Sequence, residues 1–372
     1  MGDRQRALEK LQSVAGSGVD LVSLWKAVTP LLATAVPHFG GPCFFTVDPS
    51  SLLTTSHFQE GLPEIPAEWL GREYVESDYN SMADVLGSET GVGTLHDATG
   101  GRPETARKFH EEMAPLGCDQ ELLFALRTRD GETWGLIGLY RQVGQPFFDD
   151  RDHEFVRAAA PHLAEGARHG LLLGQAEEPD LPEAPGLVVL NHSLGVESAT
   201  PGVESWLEEL GGSIEALPVS VLAAAGHVVQ GRPGPAISRV PCPSGRWLVL
   251  HSAPLGREDG AEDVAVILEP AHPERLAPLL MRAYHLSPRE QDVTQLALRG
   301  FSTAEVSREL AIAETTVQQH LKSIFDKTGV RSRRELVGRV FHTYYEPRVR
   351  DNESRTRVDR PSRHGPMPER VG

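Results

Sequence analysis

Residues 286–337, LSPREQDVTQLALRGFSTAEVSRELAIAETTVQQHLKSIFDKTGVRSRRELV, decide how this chain is read. Three helix starts are written into the stretch as capping boxes: Ser287-Pro288-Arg289-Glu290, Ser302-Thr303-Ala304-Glu305 and Ser332-Arg333-Arg334-Glu335. In each, the serine oxygen can accept from the backbone N–H three residues on, while the glutamate reaches back to the serine's own N–H. Pro288 falls at the first helical position, where its missing donor costs nothing. Each cap contributes about 1 kcal/mol, which fixes helix starts in a segment too small for a large core.

The helices follow from those starts. The first runs from Pro288 to Arg299, buries Val293, Leu296 and Ala297, and ends at Gly300. Thr303 to Leu310 makes the second, and Ala311-Ile312-Ala313 turns the chain. The third spans Glu314 to Lys327, with Val317, Leu321, Ile324 and Phe325 forming an apolar stripe. Its opposite face carries Thr315, Gln318, Gln319, Lys322, Ser323 and Asp326. Gln and Lys near a helix N-terminus suit base edges and phosphates in a major groove. Lys327, Arg331, Arg333 and Arg334 follow, where flanking phosphates would lie.

Residues 285–341 resemble the DNA-binding domain of LuxR-type transcriptional regulators. The resemblance rests on Leu286 to Glu290, Gly300, Glu305, Leu310, Thr316-Val317, His320, Ile324, Lys327, Gly329-Val330 and Arg333. It implies an all-α, four-helix helix-turn-helix domain with Glu314 to Lys327 as the recognition helix. It also implies a dimer contact through Arg333 to Phe341. The candidate DNA-contacting residues are Thr315, Thr316, Gln318, Gln319, Lys322, Lys327, Arg331 and Arg333, with Gln318, Gln319 and Lys322 facing the groove. Two positions depart from the family pattern. Ala313 stands where Ser or Thr usually caps the recognition helix, and Gln318 replaces a common basic residue.

Charge is distributed in keeping with this. From Met281 to Gly372 there are 17 Lys and Arg against 12 Asp and Glu, a net +5; Met1 to Leu280 carries 19 against 40, a net −21. An acidic bulk with a basic end confines phosphate contact to that end.

The remaining 280 residues read as sensory α+β structure. Residues 1–175 open with a helix carrying Leu21, Trp25, Val28 and Leu32 behind an Asp20 cap, which Pro30 is expected to kink or end. Phe44 to Val47 reads as a strand, Glu60 to Gly101 as loop with short helices, and Pro103 to Met113 as a helix. Leu122 to Thr128 and Thr133 to Arg141 form a hairpin around Arg129-Asp130-Gly131-Glu132. A long helical pattern closes the block, with Pro161 expected to kink it. The hairpin and the Pro146-Phe147-Phe148-Asp149 turn resemble a GAF domain. Residues 176–185 read as a linker. Residues 186–270, with strands at Leu187 to Leu190, Ile237 to Val240, Arg246 to Ser252 and Val264 to Leu268, are PAS-like. Both resemblances imply a sheet with a pocket for a small ligand or a partner. Residues 271–284 form a connecting helix, 285–345 the helix-turn-helix domain, and 346–372 a disordered tail. No internal repeat is visible.

Other chemistry finds no support. Cys43, Cys118 and Cys242 are too scattered for a zinc site or a disulfide framework and read as buried small hydrophobes. There is no P-loop. Glu111-Glu112 and Asp149-Asp150 read as solvated helix or cap residues, and His162 and His169 as ordinary helix residues. No catalytic grouping, cofactor or metal is expected. With no signal peptide and no apolar span, the chain is expected to be cytoplasmic. The expected function is sequence-specific regulation of transcription by a homodimer on double-stranded DNA, with a small-molecule ligand or RNA polymerase as further partners. The alternative is a sensor that titrates another regulator through its C-terminal helices without binding DNA.

Overall fold

The computed structural model describes residues 2–62, 67–76, 78–171, 185–232, 236–244, 246–256, 262–271, 273–333 and 335–336. The linker expected at 176–185 and the tail after 345 therefore lie almost wholly outside the described residues. So does most of the dimer contact expected at Arg333 to Phe341. Two compact units are present, one holding everything described up to Pro270 and a second beginning at Ala271.

The first unit opens with two helices, α1 (Asp3–Ala15) and α2 (Leu21–Ala35). Asp20 caps α2 by accepting from the Ser23 N–H at 3.0 Å. Pro30 neither ends nor interrupts α2, contrary to expectation. Leu24, Trp25, Val28, Leu32 and Ala35 are buried along one side, while Pro30 and Lys26 lie on the exposed side. The carbonyl deprived of its partner by proline thus faces water, and the apolar stripe holds the helix together. Strands β1 (Cys43–Val47) and β2 (Thr54–Gln59) follow, then α3 (Ala67–Val75), α4 (Met82–Gly87), β3 (Val92–Thr94) and α5 (Leu95–Ala98).

Pro103 to Met113 is not one helix. It breaks into a 3₁₀ turn at Pro103–Thr105 and a π-helical turn at Phe109–Met113, with a second 3₁₀ turn at Ala114–Leu116. Pro103 and Pro115 limit what each turn can extend into, and Gly117 reverses the chain at φ +69°. The hairpin β4 (Cys118–Arg127) and β5 (Thr133–Gln142) is as expected. Helix α6 (Asp150–Gly170) runs uninterrupted through Pro161.

These strands form an antiparallel sheet ordered β2-β1-β5-β4-β3. Alternation along each strand gives it two apolar faces. Phe44, Leu122, Phe124, Ile137 and Leu139 lie under α1, α2 and α6, where Trp25 stacks on Phe44 at 4.6 Å. Cys43, Phe45, Leu123, Ala125 and Leu136 meet Met82, Val85 and Leu86 of α4.

The rest of the unit comprises β6 (Gly186–Leu190), β7 (Val196–Ala199), α7 (Val203–Glu209), α8 (Val219–Val229), β8 (Ile237–Pro241), β9 (Trp247–Gly256) and β10 (Glu262–Pro270). Its sheet is ordered β7-β6-β10-β9-β8. Counted within each half, both sheets have the order second, first, fifth, fourth, third, although the sequence shows no repeat.

The halves are locked to one another. Asp48, just past β1, accepts from the Arg239 side chain at 2.8 and 2.7 Å and from its backbone N–H at 2.9 Å. Helix α3 packs on α8 so closely that a Cβ at Gly226 would stand 2.3 Å from the Tyr74 Cβ.

The second unit consists of α9 (Pro273–Ala283), α10 (Pro288–Leu298), α11 (Thr303–Leu310) and α12 (Glu314–Thr328). A further helical turn beginning at Arg333 is described only as far as Leu336.

Candidate nucleic-acid interface

The first two capping boxes form as expected. Ser287 accepts from the Glu290 N–H and Glu290 returns to the Ser287 N–H at 2.7 Å; Ser302 and Glu305 do the same. At the third, Ser332 accepts from the Glu335 N–H at 3.1 Å, but Glu335 reaches the Arg331 N–H instead, at 2.8 Å. Helix α10 closes with paired bonds from Gly300 to Ala297 and from Phe301 to Leu296, with Gly300 left-handed at φ +89°. Helix α11 closes the same way over Ala311, and the Ser307 hydroxyl braces the turn by donating to the Ile312 carbonyl at 2.6 Å. Met281 at the end of α9 shares one core with Leu286, Val293, Leu296, Val306, Val317 and Ile324. The connecting helix is thus built into the module's core rather than strung ahead of it.

Helix α12 buries Val317, Leu321 and Ile324 and exposes Thr315, Gln318, Gln319 and Lys322; Thr316 is half-buried. Ala313 supplies no side-chain cap, so the first N–H groups of α12 have only Glu314 in the first turn to complement them. The remaining candidates sit differently. Arg331 is exposed. Lys327 Nζ donates to Glu290 Oε2 at 2.7 Å and to the His285 carbonyl at 2.9 Å. Arg333 donates to the Ala297 carbonyl at 3.1 Å and to the Phe301 carbonyl, closing over the end of α10. Ser323, grouped with the outward residues in the sequence, donates to Glu290 Oε1 at 2.6 Å.

Glu290 is therefore the hub that ties α12 to α10, a role the sequence hid. Its partners Ser323 and Lys327 are 33 and 37 residues away, beyond any local pattern. Burial works to raise its carboxyl, but hydrogen bonds from Lys327, Ser323 and Ser287 outweigh it and bring the pKa to about 2.

A second cluster, in the first sheet's half, was also missed. Lys108 is buried and shared between Glu121 at 3.2 Å and Glu73 at 3.7 Å. Glu112, expected to be solvated, lies half-buried beside them. Burial, with the charges of Glu73 and Glu121 adding to it, pushes its carboxyl up to about 7 against the pull of Lys108 and Arg107.

Residues 284–340 match the family described as bacterial regulatory proteins, luxR family. The C-terminal module is a LuxR-type helix-turn-helix domain. This LuxR-type domain is 38% identical over 66 residues to the HTH-type transcriptional regulator MalT of Serratia proteamaculans, a match covering 18% of this chain and 7% of the relative. The chain thus spans a small fraction of that relative's length. Among solved structures, the VqmA–ligand–DNA complex of Vibrio cholerae aligns at 18% identity and TM-score 0.22, covering 44% of this chain and 84% of that one. PelD of Pseudomonas aeruginosa PAO1 aligns at 14% identity and TM-score 0.28, covering 77% and 84%. Superpositions this loose carry no argument about the residues ahead of the LuxR-type domain.

Proposed function

We propose that this chain is a DNA-binding transcriptional regulator, cytoplasmic and active as a homodimer, whose first 270 residues respond to a small ligand or a partner. The observation that carries the reading is the split character of α12. One side is buried in the core and pinned through Glu290, and the other presents Thr315, Gln318, Gln319 and Lys322 to solvent. Gln side chains pair with adenine edges and Lys with guanine or phosphate, so this face suits a major groove. Arg331 extends it toward the flanking backbone. Lys327 and Arg333, engaged inside the domain, act in this reading chiefly by holding α12 in place.

One recognition helix reads too few base pairs for useful specificity, and two half-sites about 10 base pairs apart supply it. The matching strand orders of the two sheets support treating residues 1–175 as GAF-like and 186–270 as PAS-like sensor sheets. Because α9 enters the domain's core directly, it is the natural lever between sensor and reader, and RNA polymerase is the downstream contact the reading calls for. Among the described residues no helix is long and apolar enough to cross a membrane, which agrees with a reader of DNA in the cytoplasm.

The test is selection of genomic DNA fragments by the full chain at moderate salt. Enrichment of paired half-sites is expected. A folded protein that enriches nothing would favour titration of another regulator.

A further inference from the structure

We propose that a cleft between the two halves of the first unit binds a small organic cation, a protonated amine on an apolar body. The inference rests on the sensory role proposed above and supplies the chemical class of its ligand. The cleft has a volume of ≈ 410 Å³ and lies between the β1–β2 turn, α3 and α4 on one side and the end of α8 on the other. That is within the size range of pockets that enclose small molecules, about 300–1,000 Å³.

Leu53, Tyr74, Met82, Leu86 and Ala223 give it an apolar lining.

The charge of the cleft selects the ligand's sign. Glu73 and Asp84 both line it. Glu73 accepts from the Met82 N–H at 2.6 Å and shares the Lys108 ammonium with Glu121, so behind the lining one cation serves two carboxylates. Helix α8 ends at the cleft, with His227 and Gln230 in the lining, and a helix C-terminus favours positive charge. Against this stands Arg232, whose Nε is turned back onto the Gln230 side chain. The unit as a whole amplifies the preference, since residues 1–174 and 184–270 carry 18 Lys and Arg against 35 Asp and Glu, a net charge of −17 that draws cations inward.

Benzylamine, benzyl alcohol and benzoate share one body and differ in charge, so titrating each calorimetrically into the full chain tests the proposal. Benzylamine is expected to bind at least about tenfold more tightly than benzyl alcohol, and benzoate not at all. Asp84→Asn should remove most of that preference while leaving benzyl alcohol unchanged. Gly87→Trp should block all binding with the thermal midpoint preserved, because Gly87 lines the cleft and a Cβ there meets nothing within 4 Å. Equal binding of the three compounds, a Gly87→Trp protein that still binds benzylamine, or no saturable benzylamine binding at millimolar concentration would each overturn the site. DNA affinity measured with and without benzylamine separates the two claims. Saturable binding that leaves DNA affinity unchanged upholds the cleft and removes the sensory role.

Discussion

Two residues that are not glycine hold the left-handed conformation at helix ends in the LuxR-type domain. His285 ends α9 at φ +55° and Ala311 ends α11 at φ +52°. Each is fixed by the closing bonds, Leu286 to Met281 and Ile312 to Ser307. Composition rules find Gly300 because glycine is the usual left-handed cap. They pass over Ala311 because nothing about alanine signals it, and only the tight turn between α11 and α12 demands it. The strain is removable: Ala311→Gly should stabilise the domain by about 1 kcal/mol, read by urea unfolding. An unchanged or lower midpoint would show that the turn carries no strain. Glu290 has the opposite kind of importance. Its folded pKa, about 2, lies below its unfolded value near 4.5, so its contribution is present above pH about 4.5 and is lost as pH falls toward 2. Glu290→Gln should flatten that acid limb and, at neutral pH, cost about 2 kcal/mol by weakening the bonds to Lys327 and Ser323. Thermal melts of both proteins across pH 2–7 would check this.

At the scale of elements, what could be read from the chain depended on whether local signals decided the outcome. The first two capping boxes, the β4–β5 hairpin and the Asp20 cap are local, and they stand where expected. The prolines in α2 and α6 misled because their effect depends on which side faces water, a tertiary fact. Strands β2 and β3 and helix α1 carry weak patterns of their own. Thr54–Gln59 becomes a strand through pairing with β1, and α1 is held by Ala7, Leu11 and Ala15 packing inward. The α3–α8 contact was equally invisible, since it depends on Gly226 meeting the Tyr74 backbone. Gly226→Ala should cost about 1–3 kcal/mol by overpacking that seam, measured as a lowered thermal midpoint. No loss would mean the seam is looser than its spacing implies.

Over the whole molecule, the LuxR-type domain is legible in the sequence and the first unit is not. The LuxR-type domain is specified by caps and an apolar stripe within some fifty residues, roughly 286–337. The first unit is specified by pairings between distant strands and by the Asp48–Arg239 lock across 191 residues, which no window of sequence contains. The shared strand order of its two sheets emerges only in three dimensions. The candidate site divides along the same line: its exposed face was readable from helical periodicity, whereas the engagement of Lys327 and Arg333 inside the domain was not.

The most direct test of the central claim is the salt dependence of binding to an enriched genomic fragment, for the native chain and for Lys322→Glu. If α12 lies in the groove, the substitution weakens binding and lowers the slope of log affinity against log salt by about one phosphate contact. If affinity and slope are the same in both proteins, α12 is not the surface that meets DNA.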